Sequence, residues 1–173
     1  SHNMYRSWSY NNHLMQATLS FPSNVPGIQR YDLSDNIGAS SWNAYYKWMK
    51  NAAESEQSAV LHQEPNYQAI AITLRVWMAA NLTDLFGAIP YFDALKGDEQ
   101  LLYPAFDSQE LIYEHLLSEL ERANTLYDVD LKMIYNPDLL FANDVSKWQK
   151  FTNSLHLRLL LRISNRVEKG SIA

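Results

Sequence analysis

The sequence contains no cysteine. That excludes disulfides, thiolate zinc sites, iron–sulfur clusters and a cysteine nucleophile. It does not identify a compartment, because a helical domain needs no disulfide anywhere. Glycine is scarce, five in 173 residues with no two close together, so a Gly-rich phosphate cradle has nothing to form from. Positive charge is not in excess: 14 Lys and Arg face 19 Asp and Glu, a formal net charge of −5. A general nucleic-acid binder carries a basic footprint instead. The longest apolar stretch, Ile70 to Phe86, is broken by Thr73, Arg75, Asn81 and Asp84, and reads as too polar and too short for a membrane span. The opening residues, Ser1 to Arg6, have no apolar signal core.

What is abundant is aromatic side chain, 13% of the residues with 11 Tyr and 5 Trp. Such rings combine a flat apolar face with a polar handle, which suits cores, interfaces and stacking sites alike. The hydrophobic share of 47% is enough for a globular core.

No segment sustains a period of two, and the apolar spacing is helical throughout. Residues 5–19 read as a short helix or ordered aromatic segment. Residues 20–40 form a polar loop rich in turn formers, among them Pro22, Pro26, Gly27, Asn36 and Gly38. A first long helix is expected from about Ser41 to Gln57, with Trp42, Tyr45, Tyr46, Met49 and Ala53 on one face. A second runs from Pro65 to Phe86 along Ile70, Leu74, Trp77, Met78, Asn81 and Leu85, with Gly87 as its stop. A third starts at Asp107, whose spacing from Glu110 is that of a capping box, and buries Ile112, Tyr113, Leu116, Leu117, Leu120, Ala123 and Tyr127. A fourth runs from Asn143 or Asp144 to about Val167 with Trp148, Phe151, Leu155, Leu159 and Ile163 buried. Leu157, Leu160 and Leu161 suggest that it is covered on more than one side. The expected fold is all-α: about four long helices in tetratricopeptide-like antiparallel pairs, 41–86 and 107–167, with long irregular connections, all in a single helical region 1–173.

Charge separates by helix. Five acids against Arg122 occupy 107–127, and six bases against two acids occupy 144–169, with Arg158, Arg162 and Arg166 in one stripe. The plain expectation is that these helices pack and neutralise each other. An anion site is the sharper alternative.

Reactive chemistry leaves no signature. No H-E-x-x-H, G-x-S-x-G or S-x-x-K occurs, so no catalytic residue, metal ligand or cofactor is assigned. His62-Gln63-Glu64 has the H-x-E form of zinc deaminases without their cysteines. Asp128-Val129-Asp130 lacks the remaining ligands of a calcium loop. Asn81-Leu82-Thr83 is a glycosylation sequon on an expected packing face. The functional candidates are aromatic and polar residues at the long loop: Arg30, Tyr31, Asp32, Asn36 and Trp42. Rings stack on the C–H faces of pyranoses while amide, carboxylate and guanidinium groups bond to hydroxyls. The competing explanation is that these rings simply anchor the loop.

Three segments together resemble the SusD/RagB family of surface glycan-binding lipoproteins of Bacteroidetes. They are Asp84-Leu85-Phe86-Gly87-Ala88-Ile89-Pro90-Tyr91; Tyr103-Pro104-Ala105-Phe106-Asp107 through Tyr113 with Leu120-Glu121-Arg122-Ala123; and Asp144-Val145-Ser146-Lys147-Trp148-Gln149-Lys150-Phe151-Thr152-Asn153-Ser154-Leu155-His156-Leu157-Arg158 on to Arg162. Thr152 departs from the family's usual alanine. The resemblance implies a non-enzymatic protein of the outer-membrane cell surface that captures oligosaccharides or other nutrients. Its partner would be a SusC-like TonB-dependent transporter, and its anchor a lipidated cysteine absent from this chain, which would be an N-terminal fragment of a longer protein. The alternative is a helical-repeat protein-interaction scaffold that binds no glycan.

Overall fold

The computed structural model describes residues 10–18, 27–96, 101–135 and 138–165. Pro22, Pro26 and Arg166 are discussed above but lie outside them. The chain divides into two compact units, 1–40 and 41–173. Four long helices carry the second: α1, Ala39–Leu61, which starts two residues before it; α2, Pro65–Phe86; α3, Gln109–Leu126; and α4, Val145–Ile163. Among the described residues there is no strand, only an isolated bridge between Ile89 and Asp107, so the expected all-α class holds.

α2 is the spine. Pro65 occupies its first turn, where a missing N–H costs little. The buried positions are Asn66, Ala69, Ile70, Ala71, Ile72, Thr73, Val76, Ala79, Ala80, Leu82 and Thr83. This corrects the expected face: Trp77 is 37% exposed and Leu85 60%, while Ile72, Val76 and Ala79 are fully buried. The helix is apolar almost all round, so spacing alone cannot choose its inner side. Size chooses it. The alanines and threonines let α3 approach closely, and α2 makes its most extensive helix contact with α3. By length and composition α2 would also pass as a membrane-crossing helix, contrary to the expectation above, but more than half of that stretch is buried among its neighbours.

Burying Thr73 commits it to hydrogen bonds. Its hydroxyl donates to the Ala69 carbonyl, 2.8 Å, and lies 2.8 Å from the Thr152 hydroxyl on α4. Tyr127 joins them, with its hydroxyl 3.0 Å from that of Thr152. Burial pushes the Tyr127 phenol up, so it stays neutral. The threonine at 152 thus builds a three-hydroxyl knot between helices.

α1 stands further from α2 and is held by long side chains. Tyr45 and Met49 insert into the core. Further along, Glu56 bonds to Arg75 at 2.9 Å and to Arg122 at 2.7 Å. Glu119 of α3 takes both arginines from the other side. Burial alone would raise the Glu119 carboxyl, but its bonds to Arg122 and the charge of Arg75 hold it below its ordinary value. The buried acid of α3, Glu119, therefore pairs with Arg75 of α2 and Arg122 of its own helix, and not with the basic α4 as expected. The contact from α4 is His156 to Glu121 at 4.0 Å, while Arg162 reaches Asp84 of α2 at 2.8 Å.

The ends of α3 and α4 show two kinds of stop. Ser108, not Asp107, caps α3, accepting from the Leu111 N–H, so the expected capping box does not form. Asp144 caps α4 as expected, accepting from Lys147 N–H. Before it, the Asp138 carboxylate accepts from the backbone N–H groups of Leu140, Phe141 and Asn143 and from Trp148 Nε1–H. Along α4, Leu157 is 58% and Leu161 65% exposed, so the expected second covered side is open to solvent.

Two outcomes follow for stability. Arg75→Ala leaves two carboxylates facing each other with one guanidinium, and denaturant unfolding is expected to show a loss of about 3 kcal/mol; a loss below about 1 kcal/mol would mean that water replaces the pair freely. Partial burial would raise the Asp138 carboxyl, but its hydrogen bonds prevail and bring it from 3.8 to about 2. A folded value below the unfolded one means that its stabilisation is complete above about pH 4 and disappears as pH falls towards 2. Thermal melts of Asp138→Asn should lack that part of the acid sensitivity.

Candidate binding site

The loop residues singled out from the sequence belong to the first unit. Arg30 ends a 3-10 turn, Ile28–Arg30. Tyr31 follows in the left-handed region, φ 58°, with its hydroxyl donating to the Leu14 carbonyl at 2.9 Å. Its polar handle therefore ties the loop to the 10–18 segment, while the ring remains 60% exposed. Asp32 and Asn36 are exposed, and the Asn36 carbonyl accepts from Ala39 N–H at 3.1 Å, leading the chain into α1.

Trp42 belongs to the second unit. Positions 42, 45, 46 and 49 face the same side of α1; Tyr45 and Met49 are buried, and Trp42 and Tyr46 lie at the rim. The Trp42 ring is 5.0 Å from Tyr46, 5.2 Å edge-on from Phe86 and 6.2 Å from Phe106. Tyr46 fixes the arrangement by donating to the Pro90 carbonyl at 2.7 Å. Burial, helped by the Asp107 charge, pushes its phenol well above the ordinary range, so it remains a donor.

The turn after α2 supplies the other rings. Gly87 takes φ 74° and ψ −120°, a combination that side-chain-bearing residues avoid. Its N–H donates to the Thr83 carbonyl at 2.8 Å, and the Thr83 hydroxyl donates to its carbonyl at 2.6 Å. Asp107 then clamps the exit. Its backbone pairs with Ile89, and its carboxylate accepts from the N–H groups of Tyr91, 2.9 Å, and Phe92, 3.0 Å. That use of the side chain explains why Asp107 does not cap α3. Asp84 accepts from Tyr113 and Arg162, tying the same turn to α3 and α4. The outcome is a fixed aromatic face with Phe106 65% and Phe86 36% exposed. Sequence reasoning selected Trp42 but not Phe86, Phe106 or Tyr46 as its companions. The density of aromatics on both sides of the 87–106 connection was the available signal.

No group of metal-ligating side chains exists among the described residues. Asp128 and Asp130 form a turn: Asp130 N–H donates to the Asp128 carboxylate at 2.9 Å.

A family model described as "Starch-binding associating with outer membrane", SusD-like, matches residues 1–172. The chain belongs to the SusD-like family. Among solved structures, a SusD homologue from Bacteroides fragilis NCTC 9343 aligns at 29% identity and TM-score 0.65, over 75% of this chain and 27% of that one. A chitin-binding SusD homologue from Flavobacterium johnsoniae aligns at 28% identity and TM-score 0.72, over 85% and 31%. A Bacteroides vulgatus ATCC 8482 protein, assigned by its description to the outer membrane and to nutrient binding without proof of either, aligns at 33% identity and TM-score 0.64, over 75% and 28%. The SusD-like chain thus spans less than a third of the length of these relatives. No curated protein sequence matches it.

In this SusD-like chain the glycine turn is testable by itself. A Cβ at Gly87 would meet nothing within 4 Å, so Gly87→Ala probes backbone conformation alone. The expected cost is about 1–3 kcal/mol in equilibrium unfolding; an unchanged midpoint would show that the turn relaxes without strain.

Proposed function

We propose that this chain is helical scaffold and part of the binding surface of a SusD-like protein that captures oligosaccharide without cleaving it. The protein works at the outer-membrane surface, held there by a lipid, and passes its ligand to a SusC-like TonB-dependent transporter. The observation that carries the binding part is the aromatic cluster in which half-buried Trp42 packs against the exposed rings of Phe86 and Phe106. Stacking on a pyranose needs rings that are already immobile, because ordering loose side chains on binding costs affinity. The family description and the chitin-binding relative support a saccharide as the ligand. Within the first unit Arg30, Tyr31, Asp32 and Asn36 are proposed as hydroxyl-binding residues; within the second, and independently of them, Trp42 is proposed as a stacking residue.

The exposed Leu157 and Leu161 on α4 favour a second reading, a protein-interaction scaffold. Calorimetry against a panel of neutral oligosaccharides separates the two. The glycan reading expects binding by the protein and a loss of roughly tenfold in affinity for Trp42→Ala with helicity retained. Chromatography of the same mixtures should show no shortened product. Binding to the transporter with no affinity for any saccharide would favour the scaffold.

A further inference from the structure

A second feature of unit 41–173 faces solvent and has the chemistry of a ligand site. An open cleft of about 660 Å³ is lined by Asn51, Glu54, Ser55 and Ser58 on α1, by His62 and Glu64 in the turn after it, and by Tyr67 and Tyr135. That volume falls within the range of about 300–1,000 Å³ usual for small-molecule sites.

Its walls are fixed by the fold. The turn between α1 and α2 is closed by Gln63 at φ 57° and by Glu64 N–H donating to the Ala59 carbonyl at 2.9 Å. Asn66, 1% exposed, donates to the carbonyls of Asp128 and Leu131 and accepts from Asp128 N–H, so the connection after α3 is pinned to α2. Further on, Tyr135 N–H donates to the Tyr67 hydroxyl at 3.0 Å, and the two rings lie 5.2 Å apart. Tyr135 presents a ring 55% exposed on this support.

The polar groups favour a donor-rich, uncharged ligand. His62 Nδ1 donates to the Ser58 carbonyl at 2.8 Å, which in the imidazole form leaves Nε2 as an acceptor. Glu54 and Glu64 add carboxylate acceptors, and the Asn51 amide offers both roles. Among the described residues no arginine or lysine lines the cleft; Lys50 reaches Glu54 at 3.8 Å from outside the lining. An anionic sugar would meet two carboxylates, of which only Glu54 is offset by a cation, Lys50. An aliphatic ligand would leave these acceptors dry and unpaired.

We infer that the Asn51–Tyr135 cleft is a saccharide subsite that takes one uncharged pyranose unit, stacked on Tyr135 and bonded through its hydroxyls to Asn51, His62 and the two glutamates. This rests on the glycan reading above and adds a site apart from the Trp42 face.

The test is calorimetric titration of the protein with chitohexaose, maltoheptaose and trigalacturonate. Three variants are compared: Ser58→Trp, which fills the cleft from an exposed helix position; Tyr135→Ala; and Tyr135→Phe, which keeps the ring. At least one neutral oligosaccharide should bind, with the galacturonate weaker by roughly tenfold or more. Ser58→Trp and Tyr135→Ala should each weaken the neutral ligand roughly tenfold, and Tyr135→Phe by no more than about threefold. Unchanged affinity in Ser58→Trp with helicity retained overturns the subsite while leaving the glycan reading standing, as does a loss confined to Trp42→Ala. Failure of the unaltered protein to bind either neutral oligosaccharide overturns both.

Discussion

The close approach of α2 and α3 is the constraint on which the rest depends. It exists because α2 turns small residues, Ala69, Thr73, Val76, Ala79, Ala80 and Thr83, toward its neighbours. Larger side chains, among them Ile72, Leu82, Ile112, Leu116 and Tyr113, fill the space around these small positions. Aromatic rings gather where α1 meets the turn after α2, where the connection after α3 folds back on Tyr67, and around Trp148 and Phe151 of α4.

The same packing forces polar atoms inward, and each is answered. Thr73, Thr152 and Tyr127 satisfy one another at the centre. Arg75 lies between Glu56 and Glu119 and joins three helices by charge at the place where α1 stands away from α2. A buried pair of this kind contributes little net stability over an apolar substitute, but it penalises every arrangement that separates its members. Its effect is to fix where α1 lies, and with it Trp42 at one end and His62 at the other.

Much of this was legible in the sequence. The positions of α2, α3 and α4, the proline start of α2, the Asp144 cap and the buried face of α3 follow from local signals that tertiary packing did not override. The inner side of α2 was not legible, because a helix apolar all round has no preferred face until its neighbours select for size. The α3 cap was misplaced by one residue because Asp107 is needed as an acceptor for Tyr91 and Phe92, a long-range demand invisible to capping-box spacing. The exposed leucines of α4 read as buried because hydrophobicity reports a preference for cover and not whether this chain supplies it. Trp42 was selectable as an aromatic beside a polar loop. The Tyr135 cleft was not, since Asn66 brings its two walls together across more than 60 residues of sequence.

The central functional claim is that immobile rings on a SusD-like scaffold hold sugar. A crystal structure of the protein with a bound neutral oligosaccharide tests it most directly. The expected result is a pyranose ring stacked parallel to Trp42 or Tyr135, with those side chains unmoved from the positions described above. A saccharide seated away from both, or rings that have to swing into place to meet it, would contradict it.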